Sequence, residues 1–279
     1  MHLSTLVIGL ALLPLGEARQ PARPATDPPT EAILAEGLRL YQAERAAWVA
    51  TDLMLTSTVD RSQVGGYLSY FHGDSVSTIF WAKESLGTAG TPLLGSYTFP
   101  RQDVRVETHR FQSQGAITPA GARLLAIRQA ALATANAGNY PVPANSSLNL
   151  DLLETPTGDT RAYFLVGPRE NRVVPIGGDF VLTFDYAGKL TGTERLHNNY
   201  LPLRWAASQD SIVGMMHSHL SAHPYITPTD ICSMLLYRPA GCKQHLVVSE
   251  HYVSVFNLEQ RQLLILTRKA WERIANFKR

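Results

Sequence analysis

The hydrophobic and polar positions of this chain alternate between two periods. From Thr30 onward, Ile33, Leu34, Leu38, Tyr41, Ala46, Trp48, Leu53 and Leu55 recur at mostly helical spacing, which predicts a helix capped by Thr30 and ending near Thr56-Ser57. The period then shortens. Val64 to Phe71 and Ser75 to Ala82 read as a hairpin turning through His72-Gly73-Asp74. Leu93 to Phe99 and Val104 to Phe111 read as a second antiparallel pair. A strong helical pattern runs from Pro119 to Ala137, with Pro at the first turn and Gly138-Asn139 at the stop.

Tyr140 to Ser147 is rich in Pro, Asn and Ser and marks a boundary. Beyond it, Leu148 to Leu153 and Arg161 to Val166 are strand-like. Phe180 to Asp185 and Lys189 to Leu196 form a hairpin across Tyr186-Ala187-Gly188. Ile212 to His219 is a further strand, and a helix runs from Pro228 to Tyr237. His245 to Ser249, Tyr252 to Asn257 and Gln262 to Thr267 are three more strands before a basic terminal helix, Arg268 to Arg279. The expectation is an α+β protein. Its segments are a signal-like stretch at 1–18, a spacer at 19–30, an N-terminal α+β region at 31–147 and a mixed-sheet domain at 148–279.

The first segment changes the picture of where the protein works. Leu3 to Leu15 is an apolar run of signal-peptide length, too short to cross a bilayer as a helix, and Gly16-Glu17-Ala18 offers a small-residue cleavage site. Its n-region holds His2 but no Lys or Arg, and an ordinary buried N-terminal helix is the competing reading. Arg19 to Thr30 is Pro-, Ala- and polar-rich, a tether composition. An exported protein, periplasmic or secreted, is expected, with no integral membrane segment once the first stretch is removed.

At 279 residues, 45% hydrophobic and 17% charged, the chain is globular and can bury a sizeable core. A formal charge of +2 without Lys/Arg runs leaves no electrostatic footprint for nucleic acid or for an anionic membrane. The two cysteines, Cys232 and Cys242, lack zinc-ribbon spacing. They either pair in an oxidising compartment or stay as buried thiols.

The chemistry concentrates in Gly214-Met-Met-His217-Ser-His219, followed by Asp230 on the next helix. Two His at i and i+2 on a strand face the same side. A carboxylate from the following helix supplies a third donor, and three protein ligands leave a fourth position for water, the arrangement of a catalytic zinc site. Two plainer readings compete. Thr227 and Asp230 fit a capping box with Asp for the usual Glu or Gln, and both His could be buried residues bonded to backbone carbonyls. The remaining His197, His223, His245 and His251 are each a possible polar contact near the site, His223 foremost because it lies on the loop between His219 and Asp230. An amidohydrolase barrel is excluded because too little chain follows the His pair. A cupin is excluded because Ser221 to Thr229 holds no Glu.

Gly214, His217, His219, Thr227 and Asp230, in that order on strand and helix, resemble the motif of the JAMM/MPN family of metallohydrolases. The resemblance covers roughly residues 160–267. It implies a Zn2+ ion on His217, His219 and Asp230 and an oxyanion-supporting hydroxyl at Thr227. It also implies a general base at Glu170, which precedes the apolar run Val173-Val174-Pro175-Ile176-Gly177, with Glu154 and Glu194 as substitutes. Leu220 stands where the family has Pro, and Thr227 where it has Ser. The activity implied is hydrolysis of peptide or isopeptide amide bonds in a peptide or protein substrate. The alternative is an inactive JAMM-like module that binds a partner. The aromatic hairpin of Tyr67, Tyr70, Phe71, Phe80 and Trp81 is a candidate surface for that partner, though such a cluster is also ordinary sheet core.

Overall fold

The computed structural model describes residues 28–84, 87–138, 140–206 and 212–277. The signal-like segment 1–18 and most of the spacer fall outside the described residues, as does Asn139 of the expected helix stop. The class is α+β, with four helices and fourteen strands among the described residues.

The first helix, α1 (Thr30–Thr56), starts at Thr30 itself; Pro29 occupies the cap, and the Thr30 hydroxyl donates to the Pro28 carbonyl. α1 is the central post of the molecule. Leu40, Ala43, Ala46, Ala47, Val49 and Ala50 are all buried, so the helix is covered on most of its circumference. It packs on β1 (Val64–His72), β2 (Ser75–Ala82) and β3 (Leu93–Pro100) at one end. At the other it packs on a helix from the far half of the sequence, α3 (Pro228–Tyr237). The helix crossing is close because residue 37 is Gly: a Cβ there would meet the Ile231 side chain at 2.8–3.0 Å.

β1, β2, β3 and the short β4 (Arg110–Gln112) make one antiparallel sheet in that order. The pairing of β3 with β4 matches the expected second hairpin, but β4 is only three residues long. Residues 101–109 instead form a loop with a 3-10 turn at Val106–Thr108, in which Arg105 and Asp103 pair with each other. The second helix, α2 (Pro119–Ala137), has Pro at its first turn and is capped by Thr118, whose hydroxyl accepts from the Gly121 N–H.

β5 (Ser146–Glu154), β6 (Thr160–Pro168), β8 (Phe180–Phe184) and β9 (Leu190–Arg195) form a second antiparallel sheet. Its buried Leu150, Phe164 and Phe180 share one apolar cluster with Leu124 and Ile127 of α2 and with Leu68 and Ile79 of the first sheet. That cluster crosses the sequence boundary expected at 147. Each fully buried Leu or Ile in it contributes roughly 2 kcal/mol of transfer free energy.

Two strands stand apart. β7 (Val173–Gly177) pairs only with β10 (Tyr200–Arg204), a strand the sequence pattern did not suggest. Pro175 lies opposite Pro202 in this ribbon. Both strands of a two-stranded ribbon are edges, where proline is tolerated, so the ribbon accommodates both prolines. Finally β11 (Gly214–Ser218), β12 (Gln244–Val248), β13 (Tyr252–Asn257) and β14 (Gln262–Thr267) form a mixed sheet. β11 and β12 are parallel and joined through α3. The terminal helix, α4 (Arg268–Phe277), follows β14 directly.

Cys232 and Cys242 are separate buried thiols, in different apolar clusters, and not a disulfide. Among the described residues no helix is long and apolar enough to cross a membrane.

Candidate metal centre

The expected donors come together at the C-terminal end of β11. His217 is the fourth residue of that strand, and His219 sits just past its end, where its N–H donates to the Val248 carbonyl at 2.9 Å. The i, i+2 spacing brings their Nε2 atoms to 2.9 Å. Asp230 stands on the first turn of α3. The capping box is present: the Thr227 N–H and hydroxyl both donate to Asp230 Oδ2 at 2.8 Å, and the Asp230 N–H donates to the Thr227 hydroxyl at 3.2 Å. Capping and metal binding are therefore compatible. The cap consumes Oδ2 and leaves Oδ1 buried and facing the histidines, with His197 Nε2 as its nearest neighbour.

A fourth donor, His197, arrives from the connection between β9 and β10. Its Nε2 lies 3.1 Å from Asp230 Oδ1 and 3.0 Å from His219 Nε2. Gly177 makes this approach possible. Its φ of +74° suits glycine, and a Cβ there would meet the Asn199 carbonyl at 2.1 Å and His197 Cβ at 2.9 Å. The next residues, Gly178 and Asp179, turn a carboxylate inward. Asp179 Oδ1 lies 2.7 Å from His197 Nδ1, and its Oδ2 accepts from the Thr229 hydroxyl.

His197, His217, His219 and Asp230 each offer one ligand atom, all within 4.8 Å of one another. Five of the separations among them run from 2.9 to 3.5 Å, the one from His219 to Asp230 being to Oδ2. A tetrahedral ion with bonds of about 2.0–2.1 Å has donor-to-donor edges of roughly 3.3 Å, close to these separations though shorter than the 4.8 Å that bounds the whole set.

The proton inventory makes the same point independently. His219 Nδ1 donates to the carbonyls of Tyr225 and His223 at 2.8 and 3.0 Å, and carbonyls only accept. His197 Nδ1 faces the Asp179 carboxylate. His217 Nδ1 lies 2.8 Å from Nε2 of His245, a buried residue of β12. With Nδ1 the donor in His197 and His219, their two Nε2 lone pairs point at one spot, while the donor between His217 and His245 is set by their tautomers. Lone pairs at 3.0 Å repel unless a cation lies between them. The carboxylate on His197 and the two backbone carbonyls on His219 are outer partners of the kind that orient metal-binding histidines.

Without an ion, a proton takes over part of this role. Burial disfavours the charged form of His197, but Asp230 and Asp179 outweigh it and raise its pKa to about 11. Burial holds His217 down to about 4 and His245 to about 3, and also lowers His219. Burial would raise Asp230, yet the surrounding imidazoles, His197 first, hold it well below the usual carboxylate range. One cationic histidine thus sits in a ring of neutral ones, beside two carboxylates.

The centre opens onto a pocket of about 320 Å³ lined by His197, His217, His219, Asn199, Leu220 and His223, among others. The other expected residues fall elsewhere. Glu170 is not on the pocket wall. It lies in the turn before β7, exposed, bonded to Asn145 at 3.1 Å and paired with Arg204 at 3.2 Å. Glu154 is exposed and paired with Arg123. Glu194 is nearer, with an oxygen 3.8 Å from His223 Nδ1. Thr227 is buried and engaged with Asp230 and Thr229, away from the pocket lining. No Asp or Glu lines the pocket among the described residues. The sequence reading named His197 only as one of several possible contacts and did not single out Asp179. The Gly177-Gly178-Asp179 turn was the local signal, since paired glycines before a carboxylate mark a tight backbone approach.

No family model, curated protein or solved structure matches this chain, so the site stands on its own geometry.

Proposed function

We propose that this protein is a zinc-dependent hydrolase acting on peptide or isopeptide amide bonds, with the ion held by His197, His217, His219 and Asp230. The observation that carries the reading is the convergence of four donors of which three, His197, His217 and His219, line an open pocket, with Asp230 buried behind them. A donor set of three imidazoles and one carboxylate suits zinc. Zinc in such a set supplies Lewis-acid activation of water. Were all four residues to hold the ion, water would need a further position on it.

This chain's own residues then divide the remaining work. His223, on the pocket wall with Glu194 behind its Nδ1, is the titratable group placed to accept and return a proton. Glu170, tied to Arg204, stays out of the reaction, and Thr227 acts through Asp230 by fixing its free oxygen. Asn198 and Asn199 line the same pocket and supply polar groups that can orient a substrate amide. The signal-like N-terminal stretch supports export, which favours peptides outside the cytoplasm as substrates.

The test is hydrolysis of a peptide panel by the zinc-loaded protein. Cleavage should be lost on chelation, restored by zinc, lost in His223→Gln with zinc retained, and unchanged in Glu170→Gln. Zinc-independent cleavage, or full activity in His223→Gln, overturns the assignment. One specific feature favours a second reading. Four protein donors complete a tetrahedron, which is how structural zinc sites are closed. A zinc-loaded protein that cleaves nothing, yet loses thermal stability on chelation, identifies a metal-stabilised binding module instead.

A further inference from the structure

Away from the metal centre, a cavity of about 200 Å³ is lined by Arg45, Arg101, Arg105 and Arg261, with Tyr41 beside them and Asp103 as the lone carboxylate. Asp103 is already paired with Arg105. Among the described residues, Arg45, Arg101 and Arg261 have no carboxylate within ion-pair distance. Arg101 Nε is buried and has no hydrogen-bond partner. The whole chain carries a formal charge of only +2, so four guanidinium groups around one cavity are a marked local excess.

The groups arrive from three distant parts of the sequence. Arg45 and Tyr41 are one turn apart on α1 and share a face. Arg101 and Arg105 belong to the loop that replaces the expected strand after β3, and Arg261 sits at the β13–β14 turn with φ +52°. Aromatic rings hold them in place. Arg261 lies 5.5 Å from the Tyr41 ring centre, and Arg101 lies 5.7 Å from that of Phe71, which Arg39 also approaches at 5.2 Å. Arg39 feels the crowding: burial and then the Arg101 charge lower its pKa. Gathering like charges costs free energy, and among the described residues Asp103 on Arg105 is the one ion pair within the cavity lining.

We propose that this cavity binds a tetrahedral oxyanion, a phosphate or sulfate group. Guanidinium groups present paired N–H donors that match such oxygens bidentately. The volume suits one such group, and the concavity disfavours a flat macromolecular contact. Because the walls come from α1, the 101–105 loop and the β13–β14 turn, the bound anion ties the two halves of the chain together.

The experiment is calorimetric titration with inorganic phosphate at constant ionic strength, balanced with sodium chloride, alongside thermal melts. The expected result is one saturable site per chain, a melting temperature that rises with phosphate, and a weaker response to acetate. Phosphate can also reach the metal centre, so the titration is repeated on Arg45→Gln/Arg101→Gln, in which that centre is intact. Affinity there should fall at least about tenfold, since two charge-assisted partners are gone. Arg261→Gln, on a turn, provides a second variant should the double one fail to fold. Titrating phosphoserine in parallel decides the source: tighter binding than inorganic phosphate points to an esterified group, weaker binding to the free ion. The absence of saturable heat, or unaltered affinity in the variants, overturns the proposal.

Discussion

Asp179 Oδ1 accepts a hydrogen bond from His197 Nδ1 at 2.7 Å, pairing a carboxylate and an imidazole eighteen residues apart. The pair fixes the His197 tautomer and aims Nε2 at Asp230 and His219. Asp179→Asn keeps an acceptor but loses the charge. Metal affinity is expected to fall by about 10–100-fold, the usual cost of losing an outer partner, with the fold retained. Competition against a chromophoric chelator measures it; unchanged affinity would show that His197 needs no such support.

Gly177 should tolerate no side chain. Ala at φ +74° is strained by ~1–3 kcal/mol, and its Cβ would overlap the Asn199 carbonyl. Gly177→Ala is therefore expected to lower the denaturation midpoint and weaken metal binding together, because the same movement displaces His197. A variant of normal stability with full metal affinity would contradict the packing described for this turn.

The metal-free protein should be most stable near pH 6.5. His217 and His245 have folded pKa values of about 4 and 3, below the ordinary 6.5, so the stability they contribute is present above pH 6.5 and is lost as pH falls through those values. His197 behaves in the opposite sense. Its folded pKa of about 11 means that its contribution is complete below pH 6.5 and is lost as pH rises toward 11, with a slope of up to ~1.4 kcal/mol per pH unit. A bound metal ion replaces the His197 proton, so the alkaline decline should flatten in the loaded protein. Urea denaturation across pH 4–10, with and without metal, reads both limbs; identical alkaline slopes would refute the shared-site argument.

A second buried cluster gives an independent check on the fold. Asp151 on β5 and Glu44 on α1 lie together in the interior, each with one oxygen lacking a hydrogen-bond partner. Burial, then the neighbouring Glu44 charge, pushes the Asp151 pKa well above the usual carboxylate range. A raised folded pKa contributes stability below the unfolded value and loses it as pH rises. Asp151→Asn should therefore be more stable than the parent at pH 8 by about 1 kcal/mol or more, with the gain vanishing toward pH 4. A loss of stability at pH 8 would mean that the ionised carboxylate is needed there.

Much of this was legible in the chain. The helices at Thr30–Thr56, Pro119–Ala137 and Pro228–Tyr237 and the strand at Tyr252–Asn257 follow the hydrophobic pattern closely, because each buries a substantial run of its apolar residues. The loop at 101–109 reads as a strand because Val104 and Val106 alternate with polar neighbours, although Val106 is in fact exposed. β10 was missed because Pro202 breaks its pattern. In the site, local spacing revealed His217, His219 and Asp230, which one strand and one helix carry. His197 and Asp179 reach it through tertiary turns, which no local period records. The arginine cavity was invisible for the same reason, its members lying at 45, 101, 105 and 261.

The central claim is a mononuclear centre with four protein donors. It is tested most directly by metal analysis of protein purified without a histidine tag, parent beside His197→Ala, with X-ray absorption on the loaded parent. The account predicts one zinc ion per chain, three imidazoles and one carboxylate around it, and a loss of affinity in His197→Ala larger than the roughly 10–100-fold that an outer partner costs. A parent that stays metal-free after zinc is added back, or a His197→Ala variant that holds zinc as tightly as the parent, would contradict it.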